Sequence, residues 1–265
     1  MLAPSLTLGA ENAGYVTGSV ALTAFPIGPS STSLGGALIE NGSTVSGSIT
    51  VLNSSVAVTL SGGALVNHGV VSDPINLGVS AADAIARSKY YASLPGTIDP
   101  ATVPGLSGSS KAKPAKTGSY HLGTIVIPGK AGLNVLNLSN FIVTSNDVVI
   151  QAPAGATFVI NVTGTMDLEN TNVLVSGGID ERQVLVNVVP SGTSKSAGSV
   201  TLKSENDAGG DPLIDFEGSL LAPQSSQVKV ETAIIHGVIA SGTALDLREK
   251  TGVLGKCPST TTAPR

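Results

Sequence analysis

An all-β chain, wound as an irregular right-handed β-solenoid with one α-helix packed alongside, is the fold this sequence predicts. Short runs rich in Val, Ile and Leu recur along its 265 residues, many with apolar and polar positions alternating. Gly, Asn, Ser or Pro closes almost every run, the residues that turns favour. Aromatics are 3% of the chain, with no Trp, so the interior falls to Val, Ile, Leu and Ala, as a thin stack of coils requires.

In chain order, the first strands are Ser48–Leu52 and Ser55–Leu60. Residues 6–77 are expected to join the same stack as the longer region 122–250. A helix follows at Val79–Leu94, where Ser80 can cap, Asp83 takes the capping-box position and Pro95-Gly96 stops it. Its Ala82, Ile85 and Ala86 side is expected to lie along the stack. Residues 97–119, rich in Pro, Gly, Ser and Lys, read as an exposed loop, with Lys111, Lys113 and Lys116 solvated.

Further strands are Asp147–Ile150, Thr157–Val162, Gln183–Val189, Ser199–Leu202, Gln227–Val230 and Ile234–Ala240. Asn recurs near strand ends at Asn134, Asn137, Asn140, Asn146, Asn161, Asn170, Asn172 and Asn187. Amides at coil corners can hydrogen-bond up and down a stack. No fixed repeat is visible, so the stacking is irregular. The organisation expected is one solenoid domain over 1–257 and a Thr/Pro tail over 258–265.

Composition excludes more partners than it names. Lys+Arg 14 against Asp+Glu 18 gives a net charge of −4, with no basic field for nucleic acid. Charged residues at 12% and a mean hydropathy of +0.31 exclude a disordered chain. No apolar run approaches the roughly 18 residues a membrane span needs, and no signal peptide opens the chain. The single cysteine, Cys257, has no intramolecular disulfide partner and no nearby base in the sequence to activate it.

From Leu122 onward the chain resembles a known family. Gln151–Gly164 and Gln183–Val188 resemble the central strands of choice-of-anchor A bacterial surface domains. Gly218–Val228 followed by Ile234–Ser241 is similar to their C-terminal signature. The wider plan resembles the ice-binding-like domain of secreted microbial antifreeze proteins and adhesins. The resemblance implies an extracellular or cell-surface module with no catalytic residue. It also implies that Gly218, Pro223 and Gly237 set turns while Leu220, Leu221, Val238 and Ile239 fill a core.

No nucleophile elbow, phosphate loop, dinucleotide fingerprint or zinc-protease motif occurs. His68, His121 and His236 are too scattered to suggest a metal centre, and His236 reads as a satisfied or outward strand residue. The acidic stretch Glu205–Glu217 reads as a solvated turn, with calcium held by Asp207, Asp211 and Asp215 as the alternative. Asp167 and Glu169 share one strand face, read as an acidic outer surface and not as a glycosidase pair. No catalytic, cofactor or metal residue is therefore assigned. Sequons at Asn41, Asn53, Asn137 and Asn161 point weakly to the surface.

The function expected is a non-enzymatic extracellular structural or adhesion module that binds surface macromolecules or itself. Ice binding on a flat face is the alternative; Thr163 and Thr165 are one isolated pair, and ranking Thr157, Thr201 and Thr232 takes the coil register. A carbohydrate-active β-helix enzyme is the third reading, and it needs two acids and a base in one pocket. The uncharged N-terminal segment Leu2–Leu8 is expected at an end of the stack, where it covers that end or, as the alternative, adds a strand to another copy.

Overall fold

The computed structural model describes residues 2–3, 6–8, 15–17, 20–22, 37–39, 44–46, 49–51, 58–68, 70–72, 74–106, 123–190, 198–204, 214–241, 245–248 and 251–254. The N-terminal strands are β1 (Leu2–Ala3), β2 (Leu6–Leu8), β3 (Tyr15–Thr17), β4 (Val20–Leu22) and β5 (Ala37–Ile39). After them come β6 (Thr44–Val45), β7 (Ile49–Val51), β8 (Val58–Leu60), β9 (Leu65–Val66) and β10 (Val70–Ser72). The helix α1 (Pro74–Ala92) separates these from β11 (Gly123–Pro128), β12 (Gly132–Leu138), β13 (Phe141–Thr144) and β14 (Asn146–Gln151). Next are β15 (Ala156–Val162), β16 (Met166–Glu169), β17 (Val173–Ser176), β18 (Val184–Val188) and β19 (Ser199–Lys203). The last are β20 (Ile214–Glu217), β21 (Ser219–Ala222), β22 (Gln227–Glu231), β23 (Ala233–His236), β24 (Ile239–Ser241), β25 (Leu245–Arg248) and β26 (Gly252–Leu254).

The strands form three parallel sheets, and each coil adds one strand to each sheet in turn. Sheet I runs β10-β7-β4-β1-β24-β21-β18-β15-β12, and sheet II runs β13-β16-β19-β22-β25-β2-β5-β8. Sheet III runs β11-β14-β17-β20-β23-β26-β3-β6-β9. This is an open right-handed β-solenoid. Inward positions stack by register: Leu136, Ile160, Val186, Leu220 and Ile239 follow one another in sheet I. Each is at most 1% exposed. Burying each such side chain contributes about 1.5–3 kcal/mol. Those residue numbers also show coils of unequal length, so no repeat shows in the sequence. Three of the four Phe, at 141, 158 and 216, lie in this core.

Several expectations change. The N-terminus is not an edge: Leu2 pairs with Ala240 on one side and Ala21 on the other, and β2 lies between β25 and β5. Nothing local in the sequence reveals that β1 and β2 lie inside their sheets. The run Ile234–Ala240 is two strands in two sheets, β23 and β24, broken at a corner by Gly237. A Cβ on Gly237 would stand 2.1 Å from the Gly218 carbonyl oxygen, so the close approach of two corners requires glycine at 237. Leu220 and Ile239 fill the core, whereas Leu221 is the register partner of Asn187 on the outer side of sheet I.

The helix begins at Pro74 and not at Val79; proline suits a first helical turn. Among its side chains from 82 onward Ala84 and Ser88 are buried, Ile85 is half-buried, and Ala82 and Ala86 are exposed, so the contact face there is rotated from the one expected. Residues 97–106 are mostly exposed, as expected, but they also attach to the stack. Val103 is fully buried, and the backbone N–H groups of Thr97 and Ile98 both donate to the Val135 carbonyl. This segment caps the first coil. Residues 107–122, with the three loop lysines and His121, lie outside the described residues, as do Cys257 and the tail.

Candidate binding faces

A triangular stack has three outer faces, and they differ in chemistry. On sheet I, register aligns Asn137, Asn161 and Asn187. Asn187 Nδ2 donates to Asn161 Oδ1, and Asn161 Nδ2 to Asn137 Oδ1, each at 2.8 Å. The other hydrogen of each amide goes to the helical segment: Asn187 to the Ser88 carbonyl, Asn161 to Tyr91 and Asn137 to Leu94. Three helical residues rise about 4.5 Å, close to the ~4.7–4.9 Å between strands, so the helix meets successive coils with every third residue. The amide stack expected at corners thus forms under the helix, which packs on β15, β18 and β21 of this face.

Corner amides also bridge coils. Asn140 Oδ1 accepts from the Thr165 N–H, Asn172 Oδ1 from the Asp215 N–H, and Asn134 Nδ2 donates to the Thr157 carbonyl. Asn170 adopts a left-handed φ of 50° at its corner. Of the sequons, Asn161 is buried with its amide engaged, Asn137 sits in the ladder, and Asn41 and Asn53 lie outside the described residues.

Sheet II presents charge. One outward rank reads Glu169, Lys203, Glu231, Arg248 and the neighbouring one Asp167, Thr201, Lys229, Asp246. Lys203 lies 3.9 Å from Glu169, Lys229 is 2.6 Å from Glu231, and Arg248 is 2.7 Å from Asp246. Asp167 and Glu169 do share an outer face, and it is a mixed-charge one. On the helix, a hydrogen bond to Asp83 and its charge raise the Arg87 pKa; Asp180 does the same for Arg182.

Sheet III is the open face. Inward Ile125, Val148 and Val173 place Val126, Val149 and Leu174 outward as an apolar rank. Val126 is 40% exposed; Val149 and Leu174 are half-buried. Pro128, Gln151 and Ser176 form a second rank, and Thr124 and Asp147 start a third. Asp147 Oδ1 accepts from the Asn172 N–H. The result is a grid of weakly polar groups, about 4.8 Å apart across strands and ~6.6 Å along them. The sequence carried one clue to it, the unbroken run Ile125-Val126-Ile127, which must turn one apolar side outward.

Farther along sheet III, His236 Nε2 lies 3.2 Å from Asp215 Oδ1, and Glu217 Oε2 accepts from the Val175 N–H. His236 is thus an outward strand residue with a partner, and His68 lies in an exposed turn. Asp207 and Asp211 lie outside the described residues. Among the described residues, no group of three or more His, Cys, Asp or Glu is placed to hold a metal. A pocket bounded by Pro100, Leu106, Asn137, Leu138, Ser139, Asn140 and Ile142 contains no acid or base. No helix among the described residues is long and apolar enough to cross a membrane.

The threonines do not form one rank. Thr157 belongs to sheet I and Thr201 to sheet II, while Thr163, Thr165 and Thr232 sit at or beside corners.

A family model described as "Putative Ice-binding-like adhesive domain" matches residues 5–245. Among curated proteins, no sequence matches. The ice-binding antifreeze protein LeIBP of an Arctic yeast shares the fold at a TM-score of 0.51 and 14% identity, over 100% of this chain and 92% of that one. The ice-binding protein of the Antarctic ascomycete Antarctomyces psychrotrophicus aligns at 0.48 and 14%, over 96% and 93%. An ice-binding protein from an Antarctic biological consortium aligns at 0.42 and 15%, over 91% and 85%. At 14% identity the likeness to LeIBP is one of fold.

Proposed function

The chain belongs to the ice-binding-like adhesive domain family, and from that premise we propose that it is a non-enzymatic extracellular or cell-surface module that grips an extended, ordered surface, ice first among them. The observation that carries this reading is the grid on β11, β14 and β17 of sheet III. It is regular and low in charge, and among the described residues no helix crosses it. Such a face can lie against a lattice over many contacts at once, while each contact stays weak. The mixed charges of sheet II hold their own hydration and suit a solvated side better. On sheet I the helix covers β15, β18 and β21.

An ice-recrystallisation and ice-partition assay on the purified chain tests the ligand. Inhibited recrystallisation and enrichment in the ice fraction are expected. Absence of both removes ice, and adhesion to a surface macromolecule through the same grid is then the form to test. Kinship with choice-of-anchor A domains is part of this proposal. Its support is the Gly218–Ser241 signature, whose two strands β21 and β24 pair directly. Self-association, as a second mode of action, rests on the stack ends.

A further inference from the structure

The two ends of the solenoid are finished differently. At one end β12 is met by the 97–106 segment: Ile98 bridges to Leu136, and Val135 N–H donates to Thr97 Oγ1 at 2.8 Å. At the other end β8, β9 and β10 are the last strands of sheets II, III and I. Among the described residues nothing covers them. Leu60 is 46% and Leu65 59% exposed, while Val58, Ala64 and Val66 touch the core but are only partly buried. Residues 41–72, which supply this end, contain no Asp, Glu, Lys or Arg. Terminal strands ordinarily carry charge, proline or a cover, because their free N–H and C=O groups pair with any strand that arrives.

We propose that this end is a self-association surface, through which two copies of the chain join β8–β10 to β8–β10. Three features select a second copy. Pairing there continues the strand ladder that already builds the stack. A charge-free end meets its own copy without repulsion. The opposite end, where the 97–106 segment sits on β12, is built differently, and a contact between like ends closes at two copies instead of running into a fibre. A two-fold axis along the sheet III normal pairs β9 with β9 and β8 with β10, all antiparallel. It also turns both sheet III faces to the same side, with a grid near each far end of the doubled stack. That bivalent consequence rests on the proposed function; the dimer itself does not.

Sedimentation or light scattering of the full chain in ice-free buffer, over a rising concentration series, tests the dimer. A monomer–dimer equilibrium with no larger species is expected. Leu60→Lys and Leu65→Lys alter exposed side chains, so the melting temperature should hold while the dissociation constant rises by about tenfold or more, the effect of ~1.4 kcal/mol. Leu65→Cys in a Cys257→Ser background should give a covalent dimer on oxidation. A chain that stays monomeric throughout, one that grows without limit, or a dimer indifferent to both lysines overturns the proposal, whether or not ice is bound.

Discussion

Ser88 and Asn187 hold each other reciprocally across the helix–sheet seam. Ser88 Oγ donates to Asn187 Oδ1 at 2.7 Å, and Asn187 Nδ2 donates to the Ser88 carbonyl at 2.9 Å. Both residues are fully buried. The pair ends an amide chain running through Asn161 to Asn137, in which each amide is satisfied by the next.

Removing one member therefore strands others. Asn187→Leu leaves the Ser88 hydroxyl and Asn161 Oδ1 buried without their partners, at about 1–3 kcal/mol for each lost bond. Asn137→Ala, at the exposed end of the ladder, should cost under ~1.5 kcal/mol. Urea denaturation of both variants checks the order. Equal losses would mean that the ladder does not act as a chain.

The helix contact face can be tested in the same way. Ala84 is buried and Ala86 exposed, two positions apart on one helix. Ala84→Asp places an unpaired carboxylate against sheet I and should cost several kcal/mol, whereas Ala86→Asp should stay within about 0.5 kcal/mol. Thermal melts separate them. Ile85→Asp, at a half-buried position, should fall between.

Runs long enough to show a period were legible in the sequence. Gln183–Val189 contains β18 and Thr157–Val162 nearly coincides with β15, because runs this long and this rich in Val, Ile, Leu and Phe read as strands. Strands of two or three residues, such as Tyr15–Thr17 and Ala37–Ile39, show no period by themselves. Coil register was not legible. It brings Asn137, Asn161 and Asn187 into line and scatters the threonines over different faces. It also sets Val126 beside Val149 and Leu174, so the open grid emerges only once coils of unequal length are stacked. The 97–106 cap was hidden for a related reason: a short Pro/Gly-rich segment becomes a cover only against a partner such as Val135.

Glycine at the β23–β24 corner is a packing requirement that a single methyl group should expose. Gly237→Ala drives its Cβ into the Gly218 backbone, and overpacking of this kind costs about 1–3 kcal/mol. Gly155 has a left-handed φ of 80° but open space around its Cβ position, so Gly155→Ala meets conformational strain alone, about 1–2 kcal/mol. Crystal structures of the two variants should show a displaced β21–β24 corner in the first and an unmoved backbone in the second.

The open face should fail locally when charge is added to it. Val126 is 40% exposed on β11, and Val149 is its register neighbour on β14. Val126→Lys and Val149→Lys each set a strongly hydrated ammonium in the middle of the apolar rank, where close approach to a surface would have to strip its water. Neither change opens a cavity, so melting temperatures should move little. Thr201→Lys makes the same chemical change on sheet II, between Asp167 and Lys229, and serves as the control. If sheet III grips the ligand, the two valine variants lose recrystallisation inhibition and ice partition while Thr201→Lys retains both. Loss on Thr201→Lys with retention by the valine variants would move the binding face to sheet II. Retention by all three would remove both faces and leave the exposed side of the helix, around Ala82, Ala86 and Tyr90, as the surface to examine.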